Sequence, residues 1–98
     1  MSQVISDSTD VPTAGTRVQI NNTARKCLWI TFKGRSTNTG AVYVGGPLVA
    51  AADGYALLPS ETQVVPLRDV GGSCPMSDFW VDAATSGNDV DWIAILDP

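Results

Sequence analysis

The chain contains no histidine. This removes the side chain whose ordinary pKa lies nearest neutrality, and with it Ser-His-Asp and Cys-His nucleophilic sites and histidine metal centres. Basic residues are scarce, six against ten acidic ones, for a net charge of −4. Nucleic-acid phosphates are held by clustered cations, so no nucleic-acid partner is expected. The densest basic group, Arg25 and Lys26 with Lys33 and Arg35 nearby, reads as solvated strand ends. Long apolar runs are missing too: nothing approaches the roughly twenty residues of a membrane-spanning helix. The polar opening, Met1 to Ala14, has no secretory hydrophobic segment. The expectation is a soluble chain without a membrane partner, made in a cytosol. Cysteine is limited to Cys27 and Cys74, with no CxxC spacing for zinc. In a cytosol they are expected to be reduced thiols, able to bridge only if the fold brings their α-carbons within about 7 Å.

Helical periodicity is the remaining absence. Gly, Pro, Thr, Asn and Val are frequent and runs of helix formers rare, so short β-type segments between turn signals dominate. The 98 residues, 44% hydrophobic, suit one small globular unit. The organising pair is Asn38–Gly45, where Val42 and Val44 alternate with Tyr43, answered across a small-residue connection by Asp53–Glu61. Around it lie expected strands at Thr16–Asn21, at Lys26–Lys33 with Leu28, Ile30 and Phe32 on the core face, and at Thr62–Val70, an edge or bulged strand because of Pro66. Asp78–Ala84 and Val90–Leu96 are expected to form a hairpin across the Ser86–Asp89 turn. The nearly continuous apolar run Trp92–Leu96 predicts a strand covered on both faces.

The fold class is therefore all-β: a small antiparallel β-sandwich, jelly-roll-like, of seven or eight short strands over residues 15–98, preceded by an extended N-terminal arm over 1–14. No catalytic constellation stands out, and no enzymatic activity is expected. Asp78, Asp82, Asp89 and Asp91 crowd the last two strands but follow their solvent side, so they make a poor acid pair. Ser86–Asp91 lacks the alternating acids and closing Glu of a calcium loop and reads as a turn. Gly45-Gly46 and Gly71-Gly72 match no phosphate or dinucleotide loop, so no metal or cofactor is expected. The expected contacts with a partner are the arm, through Val4, Ile5 and Val11, the Ser36–Gly40 loop, through Asn38, and two tryptophans on mixed strand faces, Trp29 and Trp80. The aromatics also support a second reading, stacking on sugars.

The segments N-T-G-x-V-Y-V-G at Asn38–Gly45, D-G-x-x-L-x-P-x-E at Asp53–Glu61, and D-x-x-V-x-A at Asp78–Ala83 leading into Val90–Leu96 resemble those of small virion proteins of tailed bacteriophages. The resemblance covers about Arg17 to Leu96; Pro66 and Ser60 depart from its pattern, and the arm matches no motif in it. It implies a capsid decoration, or cement, protein that binds the outer capsid surface and bridges major capsid protein subunits. It further implies a homo-oligomer, trimer or dimer, made in the host cytoplasm and then virion-bound, with a tail, fibre or glycan-binding module as the alternative.

Overall fold

In a computed structural model, described here for residues 3–51, 53–66 and 72–97, nine strands form two antiparallel sheets. The strands are β1 (Gln3–Val11), β2 (Val18–Gln19), β3 (Lys26–Gly34), β4 (Val42–Gly45), β5 (Tyr55–Leu57), β6 (Thr62–Val65), β7 (Cys74–Pro75), β8 (Trp80–Ala83) and β9 (Asn88–Leu96). The first sheet runs β1-β9-β3-β6, with β7 also paired to β3, and the second β2-β8-β4-β5. The chain behaves as one long hairpin folded at the β4–β5 connection. Outward from it the pairs β4–β5, β3–β6, β2–β8 and β1–β9 nest inside one another, and β3–β9 and β4–β8 contacts close the sheets. Such a nested ribbon rolled into two sheets is a jelly-roll. The pair singled out in the sequence is its tip.

The core lies between the sheets and is supplied mainly by alternate residues of β4 and β9 and of the regular part of β3. Phe32, Ile30, Leu57, Met76, Leu96, Val11, Val42, Val81 and Val90 are fully buried. Phe32 lies at the centre, its ring 5.5 Å from that of Phe79 and tilted by 57°, a geometry that suits the positive edge and negative face of aromatic rings. Trp92 is buried as well; its indole N–H donates to Thr9 Oγ1 (3.1 Å), whose hydroxyl donates to the Ile20 carbonyl (2.9 Å). This relay ties β9 and β1 to the chain following β2 and leaves no polar group of the tryptophan unpartnered.

Several sequence expectations are corrected here. Leu28 does not share the core face of Ile30 and Phe32. Pairing with β9 steps from Cys27↔Leu96 to Trp29↔Ile95, so Leu28 is the extra residue of a β-bulge, and Cys27 takes the buried position. β8 and β9 are not a hairpin: the turn between them, with Gly87 at φ 86°, carries the chain from the second sheet to the first. A left-handed residue there suits glycine. β6 is an edge strand that stops before Pro66, as a residue without an N–H dictates; residues 67–70 of the longer strand expected there lie outside the described residues. The leading stretch supplies β1, and its partner is β9 of the same chain. Truncating Phe32 to Ala should lower the unfolding free energy by about 3–5 kcal/mol, as core Phe→Ala changes do, measured as a shift of the urea midpoint at constant slope.

Candidate interaction surface

β9 is the middle of the first sheet, hydrogen-bonded to β1 on one edge and β3 on the other. Its even-numbered residues from Asn88 to Leu96 are buried, so strand alternation turns Asp91, Ile93 and Ile95 to the outer side. Register then assembles three rows across that outer face. The first is Val4, Ile95 and Trp29; the second is Ser6, Ile93, Thr31 and Val64; the third is Ser8, Asp91, Lys33 and Thr62. The first two rows carry an apolar patch, interrupted by the hydroxyls of Ser6 and Thr31, in which Val4 is 61% exposed, Ile93 49%, Val64 40% and Ile95 37%, with Trp29 half-buried beside them. The expectation that Trp92–Leu96 is covered on both faces is met on one face only. The other stands open, and an open apolar sheet face is the sort of surface that protein partners cover.

The third row is a charged border. The Arg35 guanidinium bridges Asp89 (2.7 Å) and Asp91 (3.0 Å) and also donates to Ser8 Oγ, whose hydroxyl donates to Asp91 (2.8 Å). The hydrogen bond and charge of Asp91 raise the Arg35 pKa above its usual value. Asp89 is raised despite its ion pair: partial burial is the largest cause, followed by a hydrogen bond with Asp10, the residue directly opposite it in register. Desolvation and a like charge together outweigh the guanidinium.

Of the sequence-predicted contact residues, Val4 and Trp29 fall on this patch, on either side of Ile95. The others do not. Ile5 and Val11 alternate to the inner side, where Val11 is fully buried and Ile5 packs against the core. Asn38 is committed to the fold: its side-chain amide donates to the Asp89 carbonyl (2.7 Å) and its carbonyl oxygen accepts from the Asp89 N–H (2.9 Å), pinning the Ser36–Gly40 loop to β9. Trp80 lies on β8 in the opposite sheet, so the two mixed-face tryptophans point away from each other. The outward facing of Ile93, Ile95 and Val64 was not expected, because an apolar residue in a strand is read first as core; only the pairing shows which of them face outward.

The terminal carboxylates are separated as well. Asp82 is buried in the second sheet and accepts from the N–H groups of Gly15 (2.9 Å) and Ala83 (2.8 Å), holding the β1–β2 loop. Asp89 and Asp91 belong to the Arg35 cluster of the first sheet. Asp78 borders a cavity of about 560 Å³ lined mainly by Phe32, Val44, Val65, Tyr55 and Phe79, with Gln63 and Cys74 at its wall. Among the described residues no group of three potential ligands is placed to hold a metal ion.

The raised Asp89 pKa gives a signed prediction. Its contribution to stability is fully present below the ordinary carboxyl value of 3.8 and is lost as pH rises through the folded-state pKa. The wild-type chain should therefore lose stability relative to Asp89→Asn as pH rises above the ordinary carboxyl value of 3.8, read from urea midpoints; a pH-independent difference would show that Asp89 titrates at its usual value.

No protein-family model matches this chain, and no curated protein matches it. Among solved structures it is similar to a chain from the endospore appendages of Bacillus, which form a family of disulfide-linked pili. The TM-score is 0.54 at 13% sequence identity, covering 98% of this chain and 83% of that one. At that identity the likeness is one of fold.

Proposed function

We propose that this protein is a structural virion component of the capsid decoration type, which binds the outer capsid surface and bridges major capsid protein subunits through the outer face of its first sheet. The observation that carries the reading is the open apolar patch of Val4, Trp29, Val64, Ile93 and Ile95 on the outer side of the first sheet. Because these side chains are already part-buried, covering each contributes about half of the roughly 1.5–3 kcal/mol that full burial of a large apolar side chain gives. The Ser8–Asp91–Lys33–Thr62 row beside it offers a polar rim that sets orientation. Chemistry is not required of such a protein. A domain that binds only the assembled lattice stabilises that lattice by its binding free energy, and many copies at subunit junctions resist the outward pressure of packaged genome. The turn motifs shared with small phage virion proteins support the reading, as does a fold neighbour drawn from another protein assembly, the Bacillus pili.

The cavity bordered by Tyr55, Phe79, Gln63 and Asp78 favours a second reading, a glycan-binding module, because an aromatic wall with a few polar groups suits a sugar ring. Polysaccharide titration followed by calorimetry separates the two: saturable sugar binding that is lost in Tyr55→Ala, without capsid binding, would replace the first reading by the second. Under the decoration reading, Ile95→Asp should weaken binding to undecorated capsids at least tenfold while leaving the monomer folded, since an unpaired charge at the centre of an interface is costly. Co-sedimentation with capsids measures this, and unchanged occupancy would remove the outer face from consideration.

A further inference from the structure

Cys27 and Cys74 sit directly opposite each other in the antiparallel pairing of β3 with β7. Opposed residues in such a pair have α-carbons about 4.5–5.5 Å apart, inside the range that a disulfide spans. Both are free thiols; Cys27 is buried and Cys74 half-buried. We propose that this pair is a poised dithiol, which closes into an intramolecular cross-strand disulfide when the protein passes from a reducing to an oxidising thiol pool and so clamps β7 onto β3.

The clamp has something to hold. β7 is two residues long, and Pro75 has no N–H to give to the ladder. Yet it introduces the Met76–Asp78 3-10 turn, which buries Met76 and delivers Phe79 to the ring of Phe32. The bulge at Leu28 is what turns Cys27 inward to meet its partner. The loop that a bridge closes spans about half of the chain, and the constraint that a crosslink places on the unfolded state grows with loop length.

With glutathione disulfide as oxidant the step balances. The more accessible Cys74 thiolate attacks one glutathione sulfur and releases a glutathione thiolate, leaving a mixed disulfide. Cys27, as thiolate, then attacks Cys74 Sγ and expels the second glutathione. Two protein thiols are oxidised, one glutathione disulfide is reduced to two thiols, and two protons pass to solvent and thiolates. Burial, then the neighbouring Cys74, raises Cys27 to about 11; burial, then the charge of Asp78, raises Cys74. The closing rate therefore climbs with pH through the alkaline range, because only thiolates attack.

The test uses the purified full-length chain, equilibrated with reduced or oxidised glutathione and examined by intact mass and thermal unfolding. Expected are an intact mass lower by two hydrogens, no thiol titratable in denaturant, and a thermal midpoint raised by about 10 °C. Cys74→Ser should show neither change. Two thiols still titratable after equilibration with oxidised glutathione, or disulfide-linked dimers in place of the internal bridge, would overturn the proposal. The mass readout on the wild-type chain does not depend on how well the variant folds.

Discussion

The position of β9 between β1 and β3 is the constraint on which the rest of the structure depends. Nine residues long and paired on both edges, it sets the register of its sheet, and its buried residues form much of one wall of the core. A slip by one residue would exchange the two faces of the strand. Ile93 and Ile95 would tolerate the inside, but Asp89 and Asp91 would be carried with them, away from Arg35 and into apolar surroundings. The two acids thus make the register unique, and the open patch is a consequence: the side of β9 that bears them is the side left to face outward.

Around this strand the nested pairing gives a sandwich with one apolar interior, bordered by the cavity beside Phe32 and Phe79, and two outer faces. The side-chain links made across the loops serve the same geometry. Asp82 anchors the β1–β2 connection, Asn38 and Asn88 anchor the β3–β4 loop, and Thr9 joins the buried tryptophan of β9 to the chain following β2. Each uses a polar side chain to satisfy buried or loop polar groups, backbone N–H and C=O or the indole N–H of Trp92, that would otherwise lack a partner. These loops are tied into the frame, which leaves the outer side of the first sheet as a rigid apolar surface. A rigid surface loses little conformational entropy when a partner covers it, and this suits the scaffold to a role carried by contact.

The cysteines show the same dependence of local chemistry on strand geometry. Alternation along Lys26–Lys33 assigns Cys27 to the mixed face with Trp29 and Thr31. The bulge shifts it to the core side, and the pairing of β7 brings Cys74 opposite. Neither event leaves a mark in the spacing of the two residues along the chain.

Composition and local pattern determined the class of the molecule: the want of helical periodicity, the turn signals and the alternation in Val42–Val44 are consequences of backbone sterics and side-chain direction, which act over a few residues and are therefore legible in sequence. The edge character of the strand before Pro66 and the tip of the folded ribbon belong to this group, as does the placing of Trp29 on the face opposite Ile30 and Phe32. The tertiary structure alone decided what pairs with what: that the leading segment lies along β9, that β8 and β9 belong to different sheets, that Leu28 bulges, and that Ile93 and Ile95 face outward. Those outcomes rest on hydrogen bonds and burial between residues far apart in the chain, and an apolar side chain carries no local sign of whether its own fold or another molecule will cover it.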